Sequence, residues 1–257
     1  MKVVILAGGK GTRISEETAT IPKPMVRIAN KPILVHIMEH YSHFGFNDFI
    51  IALGYKEDVI KQYFLNFLYL NSDLEINIQK NSIKILNKKK YNWKIKLVST
   101  GVESNTGGRL LSLKKFIKEK NFMLTYGDGL SNVNLKQLLT FHKKHGKIAT
   151  VTTVRPEARF GYIKINKDNR VTSFIEKPRT DEGLINGGFF VFNKKIIDYI
   201  KNNKTILEKE PLEILAKENN LYSFKHTDFW QCMDNIRDKN YLENLSTLKK
   251  IPWKDYK

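Results

Sequence analysis

A glycine-rich turn near the N-terminus contains the residue types of a phosphate-binding loop. An apolar run at residues 3–6 leads into the turn, which spans Ala7 to Arg13 and reads AGGKGTR. Glycine has no Cβ, so the backbone N–H groups of such a turn can approach a phosphate closely and form a concave anion site. Arg13 can add bidentate, charge-assisted hydrogen bonds. For the glycines taken alone, a tight turn without a ligand is the alternative.

Two common phosphate-binding motifs do not fit this turn. A P-loop ends in glycine, lysine and Ser/Thr after four intervening residues, whereas this turn ends in Gly11, Thr12 and Arg13. The dinucleotide-binding motif matches Gly9 and Gly11, but Ile14 stands where that motif has a small residue for close helix packing. The turn therefore belongs to neither class.

A lysine held between two prolines follows the turn. Pro22 and Pro24 flank Lys23, ten residues after Arg13. Proline restricts its own backbone and that of the preceding residue and disfavours helix, so Lys23 lies on a stiff segment. Such a lysine is suited to contacting a fixed anion. Without the glycine turn, a solvent-exposed loop lysine would be the better interpretation.

The elements that must position these residues alternate between strand and helix. Strands are predicted at residues 2–7, 48–53, 122–126, 149–154, 188–192 and 221–226. Helices are predicted after Pro32 and at residues 58–69, 108–118, 135–145, 195–201, 211–218 and 236–249. Repeated β-α-β connections predict an α/β fold with a Rossmann-like, mostly parallel mixed sheet that has helices on both faces.

Two segments depart from this alternation. In residues 73–98, apolar residues alternate with period two around polar turns, which predicts an inserted antiparallel β segment. Residues 162–165 and 171–175 predict a second hairpin. No repeat or linker is evident, so residues 1–257 are predicted to form a single domain. The alternating faces of residues 73–98 would suit subunit contacts in a homo-oligomer, although Lys88 and its neighbours could equally be a solvated hairpin tip.

The composition excludes several classes of protein. Of the 257 residues, 41% are hydrophobic and 11% aromatic, which is too apolar for a disordered chain. The net charge of +18 would suit nucleic acid, but the lysines are scattered and their densest run is 88–90, so we expect small anionic substrates instead. We expect no membrane segment and a cytoplasmic location, since apolar runs are short and Cys232 is a lone cysteine.

Taken together, the motifs resemble those of the sugar-phosphate nucleotidyltransferase family. The family signature, a Gly-Gly-x-Gly-Thr-Arg turn followed by Pro-Lys-Pro, matches residues 8–13 and 22–24. Further matches follow in order to about residue 253: SEET at 15–18, KPIL at 31–34, NTGGRL at 105–110, TYGDG at 125–129, RFG at 159–161, EKP at 176–178, INGGFF at 185–190 and FWQCMD at 229–234. The narrower resemblance is to members that transfer CMP from CTP to glucose 1-phosphate.

The resemblance implies a reaction that needs no general base. An oxygen of the sugar 1-phosphate would attack the α-phosphorus of the triphosphate in line, and pyrophosphate would leave. A phosphate monoester has a second pKa of about 6, so it is largely dianionic at neutral pH. Catalysis would then consist of positioning and of charge neutralisation with Mg2+ as cofactor. The CDP-glucose product would suggest supply of sugars for surface polysaccharide.

The resemblance also assigns roles to individual residues. The residues implied to bind the nucleotide are Leu6, Ala7, Gly8, Gly9, Lys10, Gly11, Thr12, Arg13, Lys23, Ser104, Thr106, Gly107, Arg109 and Asp128. Those implied to bind the sugar phosphate are Tyr126, Gly161, Glu176, Lys177, Asn186 and Gly187. Asp128 and Asp234 would bind Mg2+, and Arg13, Lys23, Asp128 and Lys177 would be catalytic. Asp128 follows a predicted strand, at the edge where α/β folds bind ligands.

Alternatives stay open at this point. Another triphosphate such as UTP or dTTP, or another sugar 1-phosphate, would fit the same motifs. A non-catalytic, nucleotide-sugar-binding regulatory subunit is the alternative from another class, and a nucleic-acid-binding protein is the third. Thr106 could simply cap a helix, Asp128 could be an ordinary turn aspartate, and Cys232 is interpreted as a packing residue.

Overall fold

The computed structural model of the protein describes residues 1–14, 18–88, 91–156, 162–175 and 183–256. Its strands are β1 (Lys2–Leu6), β2 (Arg27–Ile28), β3 (Lys31–Pro32), β4 (Asp48–Leu53), β5 (Ser72–Asn77), β6 (Ser82–Lys88), β7 (Lys94–Ser99), β8 (Asn121–Tyr126), β9 (Gly129–Ser131), β10 (Ala149–Val154), β11 (Tyr162–Ile165), β12 (Val171–Ile175), β13 (Ile185–Asn186), β14 (Phe190–Asn193), β15 (Leu221–Lys225) and β16 (Trp230–Cys232).

Helices connect most of these strands. They are α1 (Ile33–His43), α2 (Glu57–Leu65), α3 (Phe67–Leu70), α4 (Thr106–Ser112), α5 (Leu135–His145), α6 (Glu210–Lys217) and α7 (Ile236–Ser246). Short 3-10 helices span Thr12–Ile14, Lys23–Met25, Lys114–Phe116, Lys194–Tyr199 and Pro252–Lys254. In the ranges given above, no helix combines the length and the apolar character needed to cross a membrane.

One eight-stranded sheet organises the described chain. Strands β7, β4, β1 and β8 are neighbours in that order and run parallel. Strand β14 lies antiparallel to β8, and β10 lies antiparallel to both β13 and β14 and parallel to β15. A mostly parallel mixed sheet was predicted, and this prediction is confirmed.

Both faces of the sheet are covered by apolar packing. In β1, Val3 and Ile5 belong to one core cluster, and Val4 and Leu6 belong to another. The first cluster contains most of the apolar residues of α1, and the second contains residues of α4 and α6. Successive side chains of a strand point to opposite faces, so a strand buried on both sides reads as a continuous apolar run. The prediction of helices on both faces is confirmed.

The segment predicted as one antiparallel insertion is divided in the structure. Strands β5 and β6 form an antiparallel hairpin, as expected, and β11 pairs with β12 in the same way. The prediction is wrong for β7, which pairs parallel with β4 as an edge strand of the main sheet. Its apolar residues alternate with lysines because an edge strand is only half covered, and this pattern does not distinguish a parallel edge from a hairpin.

Several predicted helices are shorter than expected. The helix predicted for residues 58–69 is split at Asn66, whose side chain and backbone N–H both donate to the Gln62 carbonyl. Such local side-chain bonds compete with helix continuation. The helix predicted for residues 108–118 begins at Thr106 and ends at Ser112, and that predicted for residues 195–201 is a 3-10 helix.

Candidate active site

The carboxyl ends of two neighbouring strands bring the glycine turn beside Asp128. Strands β1 and β8 run parallel with Leu6 opposite Tyr126, and the backbone N–H of Gly127 donates to the Leu6 carbonyl at 3.0 Å. Beside them lies a cleft of about 360 Å³. It is lined by Leu6, Ala7, Gly8, Gly9, Gly11, Thr12, Lys23, Pro24, Ser104, Asn105, Thr106, Arg109, Tyr126, Gly127 and Asp128.

A lysine and two carboxylates meet at this cleft. The Nζ of Lys23 lies 2.6 Å from Oδ2 of Asp128 and 2.7 Å from Oδ1 of Asp234. Lys23 opens a 3-10 helix after Pro22, and its side chain is only 10% exposed. Burial lowers the pKa of Lys23, but the charge of Asp128 and hydrogen bonds to both carboxylates outweigh burial and raise it above 10.5. The lysine is therefore a fixed cation.

Asp234 reaches Asp128 through a short strand pair and a helix cap. Cys232 in β16 lies opposite Gly129 in β9, and the N–H of Met233 donates to the Asp128 carbonyl at 2.9 Å. The Asp234 N–H donates to Asp238, which also forms a capping box with Asn235 at the start of α7.

The cap fixes the backbone that carries Asp234. The structure thus brings together the two carboxylates that were predicted as a metal site, although they are more than a hundred residues apart in the sequence.

These side chains form a group that could hold a metal ion. Ligand atoms of Asp128, Cys232 and Asp234 all lie within 4.8 Å of one another. Burial raises the pKa of the Cys232 thiol, and both carboxylates raise it further, which disfavours the thiolate that would bind a metal. The available ligands are then carboxylate oxygens, which suit a hard cation such as Mg2+.

The glycine turn is shaped by its packing as well as by any ligand. A Cβ on Gly8 would lie 2.2 Å from a guanidinium nitrogen of Arg109, whereas a Cβ on Gly9 would meet no atom within 4 Å. Gly11 has φ +64°, and a Cβ there would lie 3.2 Å from the Cβ of Lys23. Gly8 is therefore required by contact with the protein, and Gly11 allows the turn to close against the lysine.

Arg109 lines the cleft, and its guanidinium binds oxygens of the protein itself. Its buried guanidinium donates to five oxygens, the carbonyls of Gly8, Leu53, Gly101 and Val102 and the hydroxyl of Thr100. It thereby joins the glycine turn to the loops that follow β4 and β7. The predicted contact between Arg109 and the nucleotide stays a prediction.

Of the other residues predicted for the nucleotide, Lys10 and Ser104 lie in loops and Gly107 lies in α4. Lys10 forms an ion pair with Glu103 at 2.6 Å, and the Ser104 hydroxyl donates to the Thr100 carbonyl. The N–H of Gly107 donates to the Thr205 carbonyl at 3.0 Å. Lys10 and Gly107 are outside the residues that line the cleft, whereas Ser104 is among them.

The residues predicted for the sugar phosphate are partly described. Asn186 is exposed and donates to the Tyr126 hydroxyl at 3.1 Å. The carbonyl of Gly187 accepts from the indole of Trp230, and a Cβ on Gly187 would lie 2.8 Å from Val154. Gly161, Glu176, Lys177 and the side chain of Arg13 lie outside the described part of the chain.

Comparison with known proteins assigns the chain to a family. The sequence model described as "Nucleotidyl transferase" matches residues 2–238. The chain belongs to this family. It is 49% identical over 257 residues to the glucose-1-phosphate cytidylyltransferase of Salmonella typhimurium, covering 100% of both chains. It is 44% identical over 244 residues to the probable glucose-1-phosphate cytidylyltransferase of Bacillus subtilis, covering 95% of this chain and 94% of the other.

The fold of this nucleotidyltransferase is also found in solved structures. The crystal structure of HddC from Yersinia pseudotuberculosis superposes with a TM-score of 0.68 at 26% identity, covering 95% of this chain and 98% of that one. The family resemblance, the α/β fold and the nucleotidyltransferase class were predicted from the sequence, and all three are confirmed.

A glutamate that bonds to two cleft-lining residues was not among the predicted site residues. Glu208 accepts hydrogen bonds from Thr106 and Tyr126, each at 2.6 Å. Thr106 begins α4, as its alternative interpretation expected, but the cap position belongs to Asn105, which makes no side-chain cap bond, and the Thr106 hydroxyl donates to Glu208. Glu208 stands in a run of glutamates and lysines before Pro211, and no local signal separates it from solvent-exposed neighbours.

Proposed function

We propose that the protein transfers CMP from CTP to α-D-glucose 1-phosphate, giving CDP-glucose and pyrophosphate. The meeting of Lys23 with Asp128 and Asp234, beside a glycine turn at the carboxyl ends of parallel strands, carries the proposal. This arrangement offers backbone amides, a fixed cation and two hard carboxylates to a polyphosphate and its metal. The choice of substrates is supported by 49% identity with the Salmonella enzyme along its full length.

Binding of the triphosphate is assigned to the turn and the lysine. The N–H groups around Gly9, where the space is open, would donate to phosphate oxygens, and Lys23 would neutralise part of their charge. An oxygen of glucose 1-phosphate then forms a bond to the α-phosphorus, and the bond to the β-phosphate oxygen breaks. Pyrophosphate leaves with that electron pair, and no proton has to be transferred at neutral pH.

We assign Mg2+ to Asp128 and Asp234, whose oxygens fit a hard cation. When bound, Mg2+ supplies positive charge that stabilises the phosphate oxygens and the departing pyrophosphate. Lys23 already bonds to the same two carboxylates. Its ammonium and the metal therefore repel each other, and the triphosphate gives the lysine a second anion to bind.

The sugar phosphate is assigned to the side of the cleft that carries Tyr126 and Asn186. Lys177 is proposed to hold the phosphate of glucose 1-phosphate, and Glu176 and Gly161 to lie near the sugar. Lys177→Ala is expected to raise the KM for glucose 1-phosphate more than the KM for CTP, because it removes a charge from one anion only. Equal changes in both KM values would contradict this assignment.

The proposed substrates are tested by a matrix of reactions. Five nucleoside triphosphates are paired with several sugar 1-phosphates, and pyrophosphate release gives kcat/KM for each pair. CTP with glucose 1-phosphate is expected to give the highest value. A higher value for UTP, dTTP or another sugar phosphate would reject the proposed specificity. CDP-glucose binding without pyrophosphate release from any pair would favour a regulatory subunit.

We also propose that the β5–β6 hairpin contacts another copy of this chain in a homo-oligomer. Its side chains Ile76, Ile78 and Ile83 are 58%, 85% and 53% exposed. Exposed apolar surface of this extent is typical of association sites. Light scattering is expected to detect an oligomer, and Ile76→Lys with Ile78→Lys to reduce its mass. An unchanged mass would reject the hairpin as the contact.

A further inference from the structure

The carboxylate of Glu208 bridges two elements that line the cleft. Its Oε1 accepts from the hydroxyl of Tyr126, the last residue of β8. Its Oε2 accepts from the hydroxyl of Thr106, the first residue of α4. Both distances are 2.6 Å, as expected for charge-assisted bonds between a hydroxyl and a carboxylate. One side chain therefore ties the two elements together.

Each of these hydroxyls also accepts a hydrogen bond from another group. The N–H of Leu207 donates to Thr106 at 2.9 Å, and the side-chain amide of Asn186 donates to Tyr126 at 3.1 Å. A hydroxyl has one proton to donate, so each needs an acceptor as its remaining partner. A carboxylate supplies one acceptor oxygen to each hydroxyl, whereas a glutamine supplies only one acceptor oxygen in total. The two hydroxyl donors at this position therefore favour an ionised glutamate over a glutamine.

The segment that carries Glu208 is fixed against the start of α4. The carbonyl of Asn203 accepts from the N–H of Asn105 at 2.9 Å, and the carbonyl of Thr205 accepts from two further amides of α4. A Cβ on Gly108 would lie 2.0 Å from the Asn203 carbonyl oxygen, so the two backbones touch. The backbone that carries Glu208 is thus held against α4, and Glu208 in turn fixes the two hydroxyl groups that it binds at the cleft.

We propose that Glu208 is a positioning residue that holds the nucleotide side and the sugar side of the cleft in register. This inference rests on the proposed function, in which Thr106 lies on the nucleotide side and Tyr126 with Asn186 on the sugar side. Glu208 acts through these hydroxyls and contacts neither substrate. Loss of Glu208 is expected to weaken the binding of both substrates, although they bind to different walls of the cleft.

The first test compares Glu208→Gln with the matched control Glu213→Gln. Glu213 is an exposed residue of α6, and its substitution changes the net charge by the same amount. Glu208→Gln is expected to raise the KM for CTP and for glucose 1-phosphate and to lower kcat, each by roughly tenfold, the scale of one lost bond to a charged group. Glu213→Gln is expected to match the wild type.

Background variants separate positioning from a general loss of structure. When Glu208→Gln is added to Tyr126→Phe, the KM for glucose 1-phosphate is expected to stay at the value of Tyr126→Phe alone. When it is added to Thr106→Val, the KM for CTP is expected to stay at the value of Thr106→Val alone. A purely structural role would lower Tm in every background without this pattern. If Glu208→Gln does not fold, the double variant Thr106→Val with Tyr126→Phe, which retains Glu208, is expected to raise both KM values.

The outcomes distinguish this inference from the proposed function. A wild type that is active only with another substrate pair would reject the proposed specificity, and the same comparison would then be made with that pair. An active wild type with unchanged KM values in Glu208→Gln would overturn the role of Glu208 alone. Changes in KM that add fully to those of Tyr126→Phe and of Thr106→Val would overturn that role as well. A wild type that is inactive with every pair of triphosphate and sugar 1-phosphate would overturn both proposals.

Discussion

Removing the amine of Lys23 is expected to strengthen metal binding and to abolish turnover. Lys23 bonds to Asp128 at 2.6 Å and to Asp234 at 2.7 Å, and each such charge-assisted bond contributes about 1.5–3 kcal/mol. The two carboxylates are 24% and 20% exposed, so water screens part of this energy. If loss of the ammonium makes the free energy of metal binding more favourable by about 2 kcal/mol, the metal Kd of Lys23→Met is roughly thirtyfold lower than that of the wild type.

Mn2+ serves as the probe, because free Mn2+ is quantified directly by electron paramagnetic resonance in the absence of nucleotide. Lys120→Met is the control, since Lys120 is exposed and precedes the amino end of β8, whereas Asp128 follows its carboxyl end. The Mn2+ Kd of Lys120→Met is expected to equal that of the wild type. A Kd that is unchanged or weaker in Lys23→Met would refute the competition between lysine and metal, and near-normal turnover would refute its catalytic role.

Three further predictions concern activity, packing and pH. Asp128→Asn is expected to lower kcat at least roughly hundredfold with an unchanged circular dichroism spectrum, and normal turnover would remove Asp128 from the site. Gly8→Ala is expected to cost about 1–3 kcal/mol in urea unfolding, because its Cβ meets a buried guanidinium, while Gly9→Ala, in open space, costs nothing comparable. Equal stabilities of these two variants would contradict that packing. Burial holds the pKa of His36 and of His142 at about 4. The unfolded chain binds these protons near pH 6.5, so stability is retained above pH 6.5 and lost as the pH falls toward 4, by at most about 3 kcal/mol per histidine. Urea titrations between pH 7 and pH 4.5 that give constant stability would contradict this.

The main sheet could be predicted because its buried strands have a simple sequence pattern. The boundaries of Asp48–Leu53 and Ala149–Val154 agree with the structure, since both segments are rich in β-branched and aromatic residues, which favour strands. The edge strand Lys94–Ser99 was assigned to the wrong pairing. Its neighbour β4 lies more than forty residues earlier in the sequence, and half-covered strands look alike whatever their partner.

The site residues that belong to a sequence motif could be predicted. Those whose role depends on contacts between distant parts of the chain could not. Lys23 and Asp234 are 211 residues apart, and only motif resemblance placed them in one site before the structure did. Arg109 belongs to a matched motif, yet its five bonds to the protein depend on loops that no spacing reveals. Glu208 was missed because its partners, Thr106 and Tyr126, are 102 and 82 residues away.

The central claim is transfer of CMP by attack on the α-phosphorus, and isotopic labelling tests it most directly. The protein is incubated with glucose 1-phosphate and Mg2+, using CTP labelled with ³²P at either the α or the γ position. The α label is expected in CDP-glucose and the γ label in pyrophosphate. Transfer of the γ label to the sugar phosphate, release of either label as inorganic phosphate, or no CDP-glucose at all would contradict the proposed reaction.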